Sequence, residues 1–233
     1  MHIRGEQTNM NEALKSILFD LDGTLTDPKE GITRCVEYAL NKFGITVEHT
    51  DLLLPYIGPP LYDSFVQIQG LTEEQAAQAV VFYRERYSTV GMFENAVIPG
   101  IPELLEALQA KGYSLYVATS KPTVFAEEIL KHYGLDRYFR HVGGSNLDGT
   151  RSKKAEVIRY VLEQGGITPE EAVMIGDREH DIIGAKACGV PSIGVLIGYG
   201  SEAELSASGA DYIAANVAEI GEIITRISVP AAG

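Results

Sequence analysis

The nine residues SILFDLDGT, Ser16–Thr24, set a short apolar run against two aspartates and a glycine. Ser16–Phe19 has the length and apolar content of a buried strand, and Asp20 ends it. The same event recurs outward along the chain. Tyr113–Ala118 (YSLYVA) ends at Thr119, and Ala172–Ile175 (AVMI) ends at Gly176-Asp177. Pro191–Ile197 (PSIGVLI) is a fourth run, Asp211–Ala214 a weaker fifth, and His141–Gly144 a further short one. Helical patterns lie between them. Ile101–Lys111 sets Leu104, Leu105 and Leu108 on one face, Ala155–Gln164 does the same with Val157, Ile158, Val161 and Leu162, and Ile182–Cys188 is shorter. Buried strands alternating with helices predict an α/β fold with a doubly wound, mainly parallel Rossmann-like sheet. Ligands of such sheets sit beyond the carboxyl ends of the strands, where Asp20, Thr119 and Asp177 stand.

One stretch breaks the alternation. From about Gly31 to Val97 the pattern is helical with no convincing strand. Thr33–Phe43 is amphipathic, and Glu73–Tyr87 opens with Thr72 and Gln75 placed to form a capping box. Gly58-Pro59-Pro60 between them reads as a turn, and Pro99-Gly100 marks the return to the sheet. The ends, about 1–14 and 228–233, are expected to be loose, and Met10 is an alternative start.

Composition narrows the function. Of 233 residues, 45% are hydrophobic and 22% charged, enough apolar material for a sizeable core. The 32 acidic and 19 basic residues give a net charge of -13, which disfavours a nucleic-acid polymer or an anionic membrane surface as partner. No apolar run reaches the roughly 18 residues of a membrane span, and the first residues lack the apolar core of a secretory signal. Cys35 and Cys188 read as small buried thiols in a reducing compartment. The expectation is a cytoplasmic protein.

Asp20 and Asp22, two positions apart after a buried strand, would share one face of a continuing strand and repel. An Asp-Gly turn accounts for Asp22 but not for a carboxylate at a buried strand end, which is costly unless paired. A cation between the two accounts for both, with one carboxylate as nucleophile and ligand and the other as general acid/base. Asp177 follows another buried strand, and Asp181 lies one helical turn on; the plain alternative is that Asp177 caps the next helix. Together they place three or four carboxylates at one sheet end, a ligand set that suits Mg2+. His180 reads as a helix-surface residue. Thr119 and Ser120 at a strand end offer donors to a phosphate, or form a simple cap. Lys153 and Lys154 stand at a helix start, where a cation opposes the helix dipole. That cost argues a role for one of them; a solvated basic turn is the alternative.

The order DLDGTLTD (Asp20–Asp27), VATSKP (Val117–Pro122), a lysine, and GDREHD (Gly176–Asp181) resembles the haloacid dehalogenase-like hydrolase superfamily over about Ser16–Ala218. Within it, YIGPPL (Tyr56–Leu61), GTRSKK (Gly149–Lys154) and GDREHDIIGAK (Gly176–Lys186) are similar to phosphoglycolate-phosphatase-like and bacterial 5'-nucleotidase-like proteins. The resemblance implies a catalytic core of residues 1–30 and 98–233 and a small helical cap, 31–97, inserted between the first two core strands. It implies that Asp20 attacks phosphorus and forms an aspartyl-phosphate, that Asp22 serves as acid and then base, and that Thr119 donates to the phosphoryl oxygens. Mg2+ would be held by Asp20, the Asp22 backbone carbonyl and Asp177, with Asp181 a ligand or close behind. The charge-neutralising lysine commonly precedes a proline in this superfamily; here that pattern is absent. Lys154 is the first choice for the role, then Lys153, with Lys121 a further phosphate-facing candidate. Substrate choice is assigned to the cap turn, with Tyr56, Gly58, Pro59 and Leu61 as candidates, although a rigid turn is an equal explanation. The expected activity is hydrolysis of a small phosphate ester, a 5'-nucleotide or phosphoglycolate, by a monomer or small homo-oligomer. The alternatives are a sugar phosphomutase or other phosphotransferase, a dehalogenase, and a non-catalytic phosphate-binding module.

Overall fold

The computed structural model describes residues 14–228. The expectations for the extreme ends and for Met10 lie outside the described residues, except at two positions. There Leu14 packs on the core, and the Tyr113 hydroxyl donates to Ser228 Oγ at 2.6 Å.

The main sheet has six parallel strands: β1 (Ser16–Phe19), β4 (Ser114–Pro122), β5 (Phe139–Ser145), β6 (Ala172–Gly176), β7 (Ser192–Val195) and β8 (Tyr212–Ala214), in the order β5-β4-β1-β6-β7-β8. β1 is central, and all four of its residues are buried. Its side chains alternate between two cores. Ile17 and Phe19 join the larger one, with residues of α4 (Ile101–Ala110), α5 (Thr123–His132) and α9 (Val217–Ile227). Leu18 joins the smaller one under α6 (Lys154–Gly165) and α7 (Glu179–Ala187). Helices on both faces leave no solvated position within β1, which is why Ile17, Leu18 and Phe19 form a continuous apolar run after Ser16. A short α8 (Glu202–Ser208) precedes β8.

Register aligns the chemistry. Phe19 pairs with both Val117 and Ile175. The next residues, Asp20, Ala118 and Gly176, therefore lie abreast on three neighbouring stretches of chain, with Thr119 and Asp177 one step beyond.

Between β1 and β4 the chain forms α1 (Lys29–Asn41), α2 (Leu61–Gln67) and α3 (Glu73–Tyr87), with 3-10 turns at Thr50–Tyr56 and Gly91–Phe93. The Thr72–Gln75 capping box forms as expected. The stretch is not strand-free. β3 (Ala96–Val97) pairs antiparallel with β2 (Thr26–Asp27), a two-residue ladder too short for any periodicity to announce.

Other boundaries differ from expectation. β4 runs past Thr119 to Pro122, because Pro122 still pairs with Ser145 across a register shift. Thr119, Ser120 and Lys121 are therefore strand residues. α1 starts at Lys29 instead of Thr33, and α7 at Glu179 instead of Ile182. Asp177 does not cap α7; the residue before that helix is Arg178. Among the described residues no helix is long and apolar enough to cross a membrane.

Candidate active site

After β1 the backbone curls into a tight loop in which the Leu21 carbonyl accepts from Thr24, Leu25 and Thr26 N–H at 3.3, 2.9 and 3.0 Å. Gly23 permits the curl at φ 78°, and a Cβ there would overlap the Asp177 carboxylate. Glycine thus serves both the turn and the close approach of Asp177. Gly198 and Gly200 hem Asp177 in from the loop after β7 in the same way.

Each carboxylate has its own anchoring. Asp177 Oδ2 accepts from Tyr199 N at 2.8 Å, and Oδ1 faces Thr24 Oγ1 at 3.4 Å. Asp181 Oδ2 accepts from Arg178 N at 3.1 Å. Lys154, only 6% exposed, reaches from the start of α6 to donate to the Ala118 carbonyl at 3.0 Å. Its Nζ also stands 2.8 Å from Asp20 Oδ1 and 2.7 Å from Asp181 Oδ1. Lys121 pairs with Asp22 Oδ2 at 2.8 Å and donates to the Tyr87 hydroxyl, at the end of α3. Asp22 Oδ1 is buried with no hydrogen-bond partner among the described residues.

The electrostatics favour a cation. One oxygen each of Asp20, Asp177 and Asp181 lies within 4.8 Å of the others. Burial, reinforced by the Asp181 and Asp20 charges, pushes the Asp177 carboxyl well above its ordinary range. Burial likewise raises Asp181, to about 6, despite Lys154. Asp22 is also raised by burial, which the Lys121 charge opposes. Burial alone would depress the Lys154 ammonium, but Asp181 and Asp20 outweigh it and hold it above its ordinary value. The carboxylates thus exceed the ammonium groups, and all their donors are oxygen. Such a set fits a hard divalent cation such as Mg2+.

In front of this cluster opens a cleft of about 570 Å3. Asp22, Ser120 and Lys121 border it from the sheet, and Gly58, Pro59 and Leu61 from the helical side, with Tyr83 and Tyr87 of α3. Thr119 is buried beneath it, its Oγ1 accepting from Lys121 N at 3.3 Å. Lys153 is exposed at the N-cap of α6 and joins none of these contacts. Tyr56 borders the cleft but is 2% exposed, with its ring edge-on to Phe65 at 5.2 Å. His180 stays outside the carboxylate group. Sequence reasoning missed Tyr87 and Tyr199. The Gly198-Tyr199-Gly200 triplet was the available signal for the latter, since glycines on both sides mark a backbone squeezed against something.

The profile described as Haloacid dehalogenase-like hydrolase matches residues 17–195, most of the chain. The chain belongs to that family. Among its relatives, a 5'-nucleotidase of Pseudomonas aeruginosa is 51% identical over 209 residues, 90% of this chain and 95% of that protein. The tyrosine-protein kinase PtkA of Mycobacterium tuberculosis is 41% identical over 81% of this chain, which spans 64% of that protein. The crystal structure of a predicted phosphatase from Clostridium acetobutylicum superposes with a TM-score of 0.90 at 49% identity, covering 92% of this chain and all of that one. A haloacid dehalogenase-like hydrolase is thus what the strand-end aspartates had suggested, and its phosphatase-named relatives agree in fold along nearly the whole chain.

Proposed function

We propose that the protein is an Mg2+-dependent phosphomonoesterase acting through an aspartyl-phosphate on Asp20. The observation that carries this is the meeting of Asp20, Asp177 and Asp181 within 4.8 Å, directly behind Asp22 at the edge of the cleft. Asp20, Asp177 and Asp181 are the residues that would hold Mg2+, which when bound neutralises charge on the phosphoryl group and on the attacking carboxylate.

Asp20 attacks phosphorus, forming an Asp20–phosphorus bond as the bond to the alcohol oxygen breaks. Asp22, held protonated more readily by burial, gives its proton to that oxygen. Asp22 then takes a proton from water as the water attacks phosphorus, and Asp20 leaves as carboxylate with release of inorganic phosphate. Lys154 offsets the Asp20 charge so that a carboxylate can approach an anionic phosphate. Thr119 and Ser120 supply donors, and Lys121 binds phosphate while setting Asp22. Lys153, being exposed, is the weakest of the lysine candidates.

Residues 31–97 are read as a cap over the core of 1–30 and 98–233. The cap carries leaving-group contacts through Gly58, Pro59 and Leu61, with Tyr56 supporting the turn from beneath. A two-carbon acid such as phosphoglycolate would leave most of the 570 Å3 empty, whereas a nucleoside would occupy considerably more of it, so a 5'-nucleotide is the favoured substrate. The 51% identical 5'-nucleotidase points the same way. The two free thiols and acidic composition suit a reducing cytoplasm, where the chain would act as a monomer or small homo-oligomer.

A screen of phosphate esters for inorganic phosphate, with and without Mg2+, tests the proposal. No release from any ester would sink it. The relative named as a tyrosine kinase favours a second reading, phosphoryl transfer to an acceptor other than water. Phosphate appearing on an acceptor in place of free phosphate would select it.

A further inference from the structure

Arg178 follows Asp177, yet its side chain turns away from the carboxylates and crosses to the helical side of the cleft. We propose that Arg178 is a positioning residue that clasps the Ile57–Pro60 turn over the cleft and thereby sets how tightly the non-phosphate part of the substrate is held. This rests on the phosphatase reading above.

Three observations converge. First, the guanidinium is anchored on the core side: Nε donates to Glu204 Oε1 at 2.8 Å. That oxygen also accepts from Glu179 N at 2.9 Å, and Glu204 N donates to Ser201 Oγ at 3.1 Å, so the carboxylate is fixed in place. Second, the far nitrogen crosses the divide, NH1 donating to the Ile57 carbonyl at 2.7 Å. The Arg178 and Glu204 side chains are 18% and 22% exposed, so water screens their ion pair only partly. Third, Gly58 is shaped to this contact. It sits at φ 107°, and a Cβ there would come within 3.1 Å of Arg178 Cγ and 3.3 Å of NH1. Only glycine meets both demands.

A planar fork suits two acceptors set at different directions, which a lysine ammonium matches poorly. Across the cleft a second arginine works in the opposite sense: Arg84 of α3 donates to the Leu147 carbonyl of the core at 2.9 Å. The two bonds bracket the cleft, one from each side. The Arg178 side chain donates to Glu204 and the Ile57 carbonyl and to none of Asp20, Asp22, Asp177 and Asp181, and its charge is among the smaller influences on Asp177, so its main effect falls on the turn.

The test compares Arg178→Ala with the parent on a nucleoside 5'-monophosphate and on acetyl phosphate, whose leaving group is too small to touch the turn. Loss of a charge-assisted hydrogen bond is expected to raise KM for the nucleotide about tenfold with kcat changed less than about twofold. Acetyl phosphate turnover should stay within about twofold. Arg178→Lys should recover part of the loss, and Glu204→Gln, which keeps the shape but not the charge, should show a smaller effect in the same direction. Amide deuterium exchange at residues 57–61 should quicken in Arg178→Ala while β1, β4 and β6 keep their protection. That arm reads the clasp even if the parent hydrolyses neither compound, the result that would end the 5'-nucleotide reading instead. Equal losses on both compounds, or exchange at 57–61 matching the parent, overturns the proposal.

Discussion

Lys154 Nζ stands 2.8 Å from Asp20 Oδ1, although the first residue begins α6 and the second directly follows β1. Both are nearly sealed from water, and ion pairs of this kind seldom repay their desolvation through stability alone. Such a pair is better explained by what the carboxylate must do than by what it holds together.

Replacing Lys154 with Met should therefore harm the protein twice. Asp20 and Asp181 would lose their shared ammonium inside a low-dielectric site, at a cost of about 3 kcal/mol visible in denaturant unfolding. Phosphate release should fall at least about a hundredfold. Lys154→Arg should not rescue it, since Gly184 lies so close that even a Cβ there would come 2.8 Å from Lys154 Cγ. Full activity in the arginine variant would contradict the packing argument.

Asp20→Asn keeps the shape and removes the carboxylate proposed to attack phosphorus. A thousandfold fall in kcat is expected, roughly 4 kcal/mol of barrier. The melting temperature should hold or rise, because one of several crowded carboxylates has gone. Near-normal turnover, with contamination excluded, would remove Asp20 from the role.

Chelation should abolish activity and Mg2+ restore it, with Ca2+ a poor substitute because it prefers longer bonds and more ligands. Mg2+ at a hundredfold excess over its dissociation constant should stabilise the fold by about 2.7 kcal/mol. Thermal unfolding of Asp177→Asn should lack that gain. An equal gain in the variant would place the cation elsewhere.

The cleft separates two kinds of neighbour. Leu61→Ala should reorder substrates in a panel of phosphate esters while phosphatase activity survives, because its side chain faces the space a leaving group would occupy. Tyr56→Phe should leave the ranking unchanged, since the hydroxyl reaches only Gln69 at 3.4 Å and the ring packs on Phe65. A reordering by Tyr56→Phe with none by Leu61→Ala would reverse the assignment.

Glu94 ties α3 to α1, accepting from Arg86 NH1 at 2.6 Å and from Arg34 NH1 at 2.8 Å. The Arg86 hydrogen bonds hold its carboxyl below the ordinary value of 4.5. A depressed carboxylate binds fewer protons folded than unfolded, so its contribution is complete above pH 4.5 and fades as pH falls through its lower folded value. Glu94→Gln should thus lower the melting temperature at pH 7, with the gap to the parent closing on acidification. A gap independent of pH would assign the effect to shape and not charge.

The parallel sheet and its carboxylates were legible because apolar runs that stop at Asp20 and Asp177 have few physical explanations. The pairing of Lys154 with Asp20 and Asp181 was only ranked, since sequence order says nothing about which lysine a strand end will meet. Tyr87 escaped notice because an aromatic at helical spacing reads as core, and it is indeed buried, only with its hydroxyl turned to Lys121. The Thr26–Asp27 ladder was invisible, as two residues carry no period. Thr119 was found at the right end of its strand, but the strand's continuation to Pro122 depends on tertiary pairing with Ser145 that local propensity does not encode.

That brief ladder has a consequence for how such proteins diversify. Because Thr26–Asp27 and Ala96–Val97 lie side by side, the chain leaves the sheet and returns to it through one doorway. The entropy of closing an excursion there grows only with the logarithm of its length. The doorway behaves as a socket. A foreign segment of quite different size, spliced between those two strands, should leave the pairing of β1 with β4 and β6 undisturbed, so chimeras joined at these four residues would inherit the aspartates intact and acquire a new roof.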